Sequence, residues 1–130
     1  SSIDLKSKDN NGWTGFHYAC NRGVLDVLKI FMENAAALNI DLNTNTKTKS
    51  DFTAFNMTCQ VGKSDVVKIL MKSATALRID VNRKNKSDET GFHWACKNGH
   101  EETVGKLLVE LSTKYSIDIH IDLETNDSDE

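Results

Sequence analysis

Long apolar runs are missing from this chain of 130 residues. None approaches the roughly 18 residues that a membrane-spanning helix needs, so no membrane partner is expected. The opening Ser1-Ser2-Ile3-Asp4 has neither a basic n-region nor an apolar h-region, and no signal peptide is read there. An excess of basic charge is missing too. Sixteen Lys and Arg stand against 19 Asp and Glu, for a net charge of −3. The basic cluster Arg83, Lys84 and Lys86 lies beside Asp80, Asp88 and Glu89. Nucleic-acid binders usually carry a basic excess on one face, so nucleic acid is not expected as a partner. Nothing resembles a nucleophile–base pair, a phosphate loop or a paired-carboxylate site. No enzymatic activity and no cofactor are expected.

Apolar residues make up 38% and charged residues 27% of the chain, which points to one folded domain with a moderate core rather than a disordered chain. Its main feature is repetition. Thr14-Gly15-Phe16-His17-Tyr18-Ala19-Cys20 returns as Thr53-Ala54-Phe55-Asn56-Met57-Thr58-Cys59 and again as Thr90-Gly91-Phe92-His93-Trp94-Ala95-Cys96, at steps of 39 and 37 residues. Self-similarity at this period marks a solenoid, in which each small unit contacts only its neighbours. Each of the three cysteines ends one copy of the phrase. Equivalent positions in stacked units stand about 8–10 Å apart, and a disulfide needs Cα atoms within about 7 Å. The three are therefore expected to be free, buried thiols, which favours an intracellular (cytoplasmic or nuclear) setting.

Other landmarks recur with the phrase. Ile-Asp followed by an aliphatic residue occurs at Ile3, Ile40, Ile79 and Ile117, and a glycine follows each threonine by nine residues at Gly23, Gly62 and Gly99. An amphipathic run follows each glycine, beginning at Asp26, Asp65 and Glu102. The distance from Thr to the next Ile is 26, 26 and 27 residues, and from Ile to Thr 11, 13 and 11. Most of the slack thus falls in a polar segment between Ile and Thr, as a loop would allow. Each threonine is suited to cap a helix, each glycine to close one, and the acids to open the next helix at its positive end. The unit is a helix–turn–helix with a projecting turn.

The phrase, the glycine, the amphipathic run and Asp80-Val81-Asn82 together resemble the ankyrin repeat, with its T-P-L-H-x-A-A, G-H, E-(I/V)-V-K-L-L-L and D-V-N segments. Thr90–Leu108 follows the pattern almost position for position, and the resemblance covers residues 3–121. It implies an all-α solenoid of helix–turn–helix units with projecting β-turn or hairpin loops. The repeats are read as about 3–39, 40–78 and 79–116, with a partial fourth turn at 117–123 and an acidic tail at 124–130. Gly15, Ala54 and Gly91 replace the family's proline, and the chain contains no proline at all, so the helices lose that pre-organised first turn. The family repeat is about 33 residues. The extra length falls after the second helix, which is expected to run about one turn longer. The middle copy, with Asn56 for His and Thr58 for Ala, reads as degenerate.

His17-x-x-Cys20 and His93-x-x-Cys96 place two metal-competent ligands on one helix face. Zinc needs about four ligands, and the middle copy offers Asn56 with Cys59, so no metal is expected; the resemblance implies a structural histidine. His100 and His120 read as surface residues. The resemblance implies non-catalytic binding of a protein partner through a concave face made by turn tips and first helices. By position, the turn residues are Asn10, Asn11 and Trp13; Lys49, Ser50 and Phe52; and Lys86, Ser87 and Glu89. The first helices supply Tyr18, Met57 and Trp94 as one stripe, with Asn21, Arg22, Gln60, Val61, Lys97 and Asn98 beside it. Aromatic residues are frequent anchors at interfaces; alternatively, Tyr18 and Trp94 pack between units and Trp13 covers its own helix. Ile117, Ile119, Ile121 and Leu123 alternate with polar residues, a strand pattern, and are expected to fold back as an extended arm over the last repeat. A second reading is an assembly piece that stacks or forms weak homo-oligomers through uncapped ends.

Overall fold

A computed structural model describes residues 3–38 and 46–115. Among the described residues seven helices follow in chain order: α1 (Gly15–Arg22), α2 (Leu25–Leu38), α3 (Ala54–Val61), α4 (Ser64–Lys72), α5 (Ala74–Leu77), α6 (Gly91–Lys97) and α7 (Glu101–Tyr115). No strand occurs among the described residues. The first helices pack side by side in the order α1, α3, α6, and α4 packs on α7. The predicted arm and the acidic tail lie outside the described residues.

Each first helix starts at its threonine for a local chemical reason. Thr14, Thr53 and Thr90 are extended N-caps whose hydroxyls accept from the backbone N–H three residues on. Gly23 and Gly62 close α1 and α3 in the left-handed conformation. At Gly62 the φ of 75° is joined by a steric demand: a Cβ there would come 2.6 Å from the His100 ring. That ring is half-buried and its Nε2 donates to the Gln60 carbonyl at 2.7 Å. His100 is thus a bridge between the second and third units, correcting its reading as a surface residue; His120 lies outside the described residues. At Gly91 a Cβ would come 2.9 Å from Cys59 Sγ, so the glycine lets α6 approach α3 closely.

The core runs along the stack through Phe16, Cys20, Leu28, Phe55, Cys59, Val66, Val67, Leu70 and Ala95. Burial pushes the Cys20 and Cys59 thiols up to about 12. Cys96 corrects the expectation of three buried thiols: it is exposed, because no helix covers the outer side of α6 among the described residues. The longer second helix is present in the first unit, where α2 has 14 residues, and in the third, where α7 has 15. In the middle unit it breaks at Ser73 into α4 and α5. Serine competes for helical hydrogen bonds, and Ser73 Oγ turns to the Met32 sulfur at 3.8 Å.

The buried polar groups join one unit to the next. His17 Nδ1 accepts from the Thr14 N–H at 2.9 Å, which leaves the proton on Nε2, and Nε2 donates to the Thr46 carbonyl of the following turn at 3.0 Å. Asn56 does the same with an amide: Oδ1 accepts from the Thr53 N–H at 3.4 Å and Nδ2 donates to the Arg83 carbonyl at 3.4 Å. The middle unit is therefore a chemical equivalent of the first. A protonated His17 would turn a second N–H toward the Thr14 N–H, and burial lowers its pKa. A depressed folded pKa means that the stabilisation is present above the ordinary histidine value of about 6.5 and is lost as pH falls through the folded value. His17→Asn should keep the fold and flatten the fall of the thermal midpoint between about pH 7 and pH 5. An unchanged pH profile would show that His17 is not the titrating group.

Candidate functional site

The three turn tips are built alike. In Asp9–Trp13, Thr48–Phe52 and Asn85–Glu89 the first residue's N–H donates to the carbonyl of the fifth, at 2.9, 2.8 and 3.0 Å. The first side chain also holds the turn from inside: Asp9 Oδ1 accepts from the N–H of Asn11 and Trp13, Thr48 Oγ1 from Phe52, and Asn85 Oδ1 from Ser87 and Glu89. Asp, Asn and Thr are suited to this local bonding. The fourth tip position is left-handed in each case, with φ of 78° at Gly12, 69° at Asp51 and 66° at Asp88. Neighbouring tips are bonded in register. The Lys49 N–H donates to the Asn11 carbonyl at 3.0 Å, and the Lys86 N–H donates to the Asp51 carboxylate.

Two aromatic clusters stand where these tips meet the first helices. Trp13 and Tyr18 lie 4.6 Å apart between ring centroids, tilted by 46°, and the Tyr18 hydroxyl donates to the Asp9 carboxylate. Phe52 meets Trp94 edge-on at 5.5 Å. Lys97 Nζ lies 4.7 Å above the Trp94 ring and 3.4 Å from the Glu89 carboxylate. A cation in this position is attracted by the ring face. The indole N–H of Trp94 is shielded from water and has no acceptor among the described residues.

The predicted contact residues divide accordingly. Asn10, Asn11, Lys49, Ser50, Lys86 and Ser87 are exposed at the tips, and Trp13, Phe52 and Glu89 are half-buried there. Tyr18 is 42% exposed and Trp94 half-buried. Met57, expected between them in one stripe, is buried with 4% exposed: the middle helix is flanked by α1 and α6, so its side chain is core rather than surface. Arg22, Val61, Lys97 and Asn98 are exposed, and Asn21 and Gln60 half-buried. Asn98 Nδ2 donates to the Gln60 carbonyl at 2.9 Å, which ties those two positions to each other. Sequence reasoning passed over Asp9, the carboxylate that orients Tyr18. Its place at the start of a turn was a signal for turn bonding, but nothing in a nine-residue spacing marks a Tyr–Asp contact.

In the first His-x-x-Cys pair neither ligand is open to a metal. Both His17 nitrogens are engaged and Cys20 is a buried thiol. Among the described residues no group of three or more His, Cys, Asp or Glu could hold an ion, and no helix is long and apolar enough to cross a membrane.

The Tyr18 hydroxyl is the largest influence on Asp9, holding its carboxyl below the ordinary range, and Asp9 in turn raises the Tyr18 phenol. Tyr18→Phe should let the Asp9 pKa rise toward the ordinary value of about 3.9. Carboxyl chemical shifts followed through an acid titration measure it, and an unmoved Asp9 pKa would disprove the contact.

A family model described as ankyrin repeats in three copies matches residues 1–85. BCL-6 corepressor-like protein 1 of Homo sapiens is 38% identical over 50 residues, which are 38% of this chain and 3% of that protein. The protein of the same name from Mus musculus is 37% identical over 46 residues, 35% of this chain and 3% of its own length. The chain therefore spans only a small part of the length of these relatives. The matched model covers 85 of the 130 residues and agrees with the stacked helix–turn–helix units, and the chain belongs to the ankyrin-repeat family.

Proposed function

We propose that this chain binds a partner protein through the face made by its turn tips and first helices, with the Trp13–Tyr18 pair and the Phe52–Trp94–Lys97 cluster as anchors. Ankyrin repeats are in general protein–protein interaction modules, and the family is generally non-catalytic. The observation that carries the choice of face is the Trp94 cluster. An aromatic ring is held by Phe52 and Lys97, partly open to solvent, with a shielded indole N–H still lacking an acceptor. Such a ring offers apolar area at little entropic cost. The second cluster supports the same face, because Tyr18 is fixed by Asp9 before any partner arrives. Met57, being buried, takes no part in contact on this reading.

An intracellular, nuclear setting accords with free cysteines and with the corepressor-like name of the matched relatives. Both of the chain's tryptophans belong to the proposed face, so intrinsic fluorescence reports directly on its occupation. With a partner isolated by affinity capture, Trp13→Ala and Trp94→Ala should each weaken binding by at least about 2 kcal/mol, roughly thirtyfold. Lys29→Ala and Lys68→Ala on the second helices should leave it unchanged. Titration calorimetry gives the affinities. Equal losses from both sets, or none from the tryptophans, would reject this face.

A further inference from the structure

Charge at the turn tips is nearly balanced in the sequence and unbalanced in the structure. Residues 8–13, 47–52 and 84–89 hold five lysines and four acids. Three of those acids are committed to internal contacts. One oxygen of Asp9 accepts from the N–H groups of Asn11 and Trp13, and the other accepts from the Tyr18 hydroxyl. Asp51 accepts from the Lys86 N–H and pairs with Lys47 at 3.2 Å. Glu89 accepts from Asn85 Nδ2 at 3.0 Å and pairs with Lys97 at 3.4 Å. The fourth acid, Asp88, is exposed and has no side-chain partner among the described residues.

The lysines are placed differently. Lys8, Lys47 and Lys84 each precede the first tip residue, and Lys49 and Lys86 take the second tip position, where the first unit has Asn10. Lys8, Lys49, Lys84 and Lys86 are exposed and form no ion pair among the described residues. The backbone N–H groups of Lys49 and Lys86 make the bonds that align neighbouring tips, so the register of the stack puts these two residues in one column. Equivalent positions in stacked units stand about 8–10 Å apart, and an extended chain advances about 3.3 Å per residue. Every third residue of a strand laid along the tips therefore meets the next unit. We infer that the partner presents an extended acidic segment to this lysine edge, with a carboxylate at every third residue. The inference rests on the partner-binding face proposed above and names the chemistry that the face takes. The chain as a whole carries a net charge of −3, so a long polyanion running past the tips meets repulsion. A peptide segment of about seven residues spans the three units and stays on the edge.

The probe is a synthetic peptide of about seven residues with Glu at every third position and Ser between. Its counterpart with Lys for Glu and a single-stranded DNA of equal length are the comparisons. Each is titrated into the full-length chain and followed by the amide shifts of the tips and by tryptophan fluorescence. The Glu peptide should bind and the Lys peptide should not, and the affinity should fall about fivefold between about 20 and 200 mM salt. Lys49→Gln/Lys86→Gln keeps both backbone N–H groups and should weaken the Glu peptide about fivefold while flattening that dependence. Asp88→Asn should strengthen it about twofold; asparagine tolerates the left-handed backbone, φ 66°, found at this position. Failure of the Glu peptide to bind, equal binding of the Lys peptide, tighter binding of the DNA, or a double variant that binds like the wild type overturns the inference. The partner captured for the tryptophan test separates this failure from that of the face. If Trp13→Ala and Trp94→Ala lose it while Lys49→Gln/Lys86→Gln does not, the face stands and the acidic segment falls. The reverse pattern removes the aromatic anchors and keeps the acidic segment.

Discussion

Each junction in this stack depends on one buried side chain that accepts at one end and donates at the other. The acceptor holds the N–H of the threonine that caps its own helix; the donor holds a carbonyl of the next unit's turn. His17 and Asn56 both do this, with different functional groups. Both are 1% exposed, and a buried polar group without its partner costs more than a made hydrogen bond contributes. The cap, the first helix and the following turn are therefore coupled. Because solenoid units touch only their neighbours, this coupling sets the register of the tips.

Register is what gives the candidate face its form. Once the tips are aligned, the bond from Lys49 to Asn11 and that from Lys86 to Asp51 fix neighbouring turns. The fifth tip positions then fall beside the first helices, where Trp13 meets Tyr18 and Phe52 meets Trp94. The second pairing crosses from one unit to the next. It exists only if the second and third units stack as they do, with Gly91 letting α6 come close to Cys59 and His100 reaching the Gln60 carbonyl. Surface anchors and core packing are thus consequences of the same junctions.

Much of the architecture was legible because it is written locally and repeated. Threonine caps, closing glycines and amphipathic second helices follow from spacing and residue type. The chemistry of junctions was less legible. Asn56 read as decay of a motif because residue identity was compared rather than hydrogen-bonding capacity; an amide and a neutral imidazole offer the same acceptor–donor pair. Met57 and Tyr18 occupy equivalent positions yet differ in burial, since one has a helix on each side and the other does not. Cys96 differs from Cys20 and Cys59 for a related reason: the cysteines face the following unit, Cys20 toward Thr58 and Cys59 toward Gly91, and α6 has no following first helix among the described residues. Position along the stack, not position within the repeat, decides exposure, and a single repeat's pattern carries no record of it. The Asp9–Tyr18 bond was illegible in another way, being a contact between a turn and a helix face that no periodicity encodes.

The most direct test is thermal and chemical unfolding of Asn56→Asp, followed with amide hydrogen exchange across residues 79–90. The substitution keeps an acceptor for the Thr53 N–H and nearly the same shape, but removes the donor to the Arg83 carbonyl and places a carboxylate against it. If the acceptor–donor pair carries the junction, stability at neutral pH falls by on the order of 3 kcal/mol, and amide protection in the third turn is lost ahead of the rest. Wild-type stability with an undisturbed third turn would contradict the account.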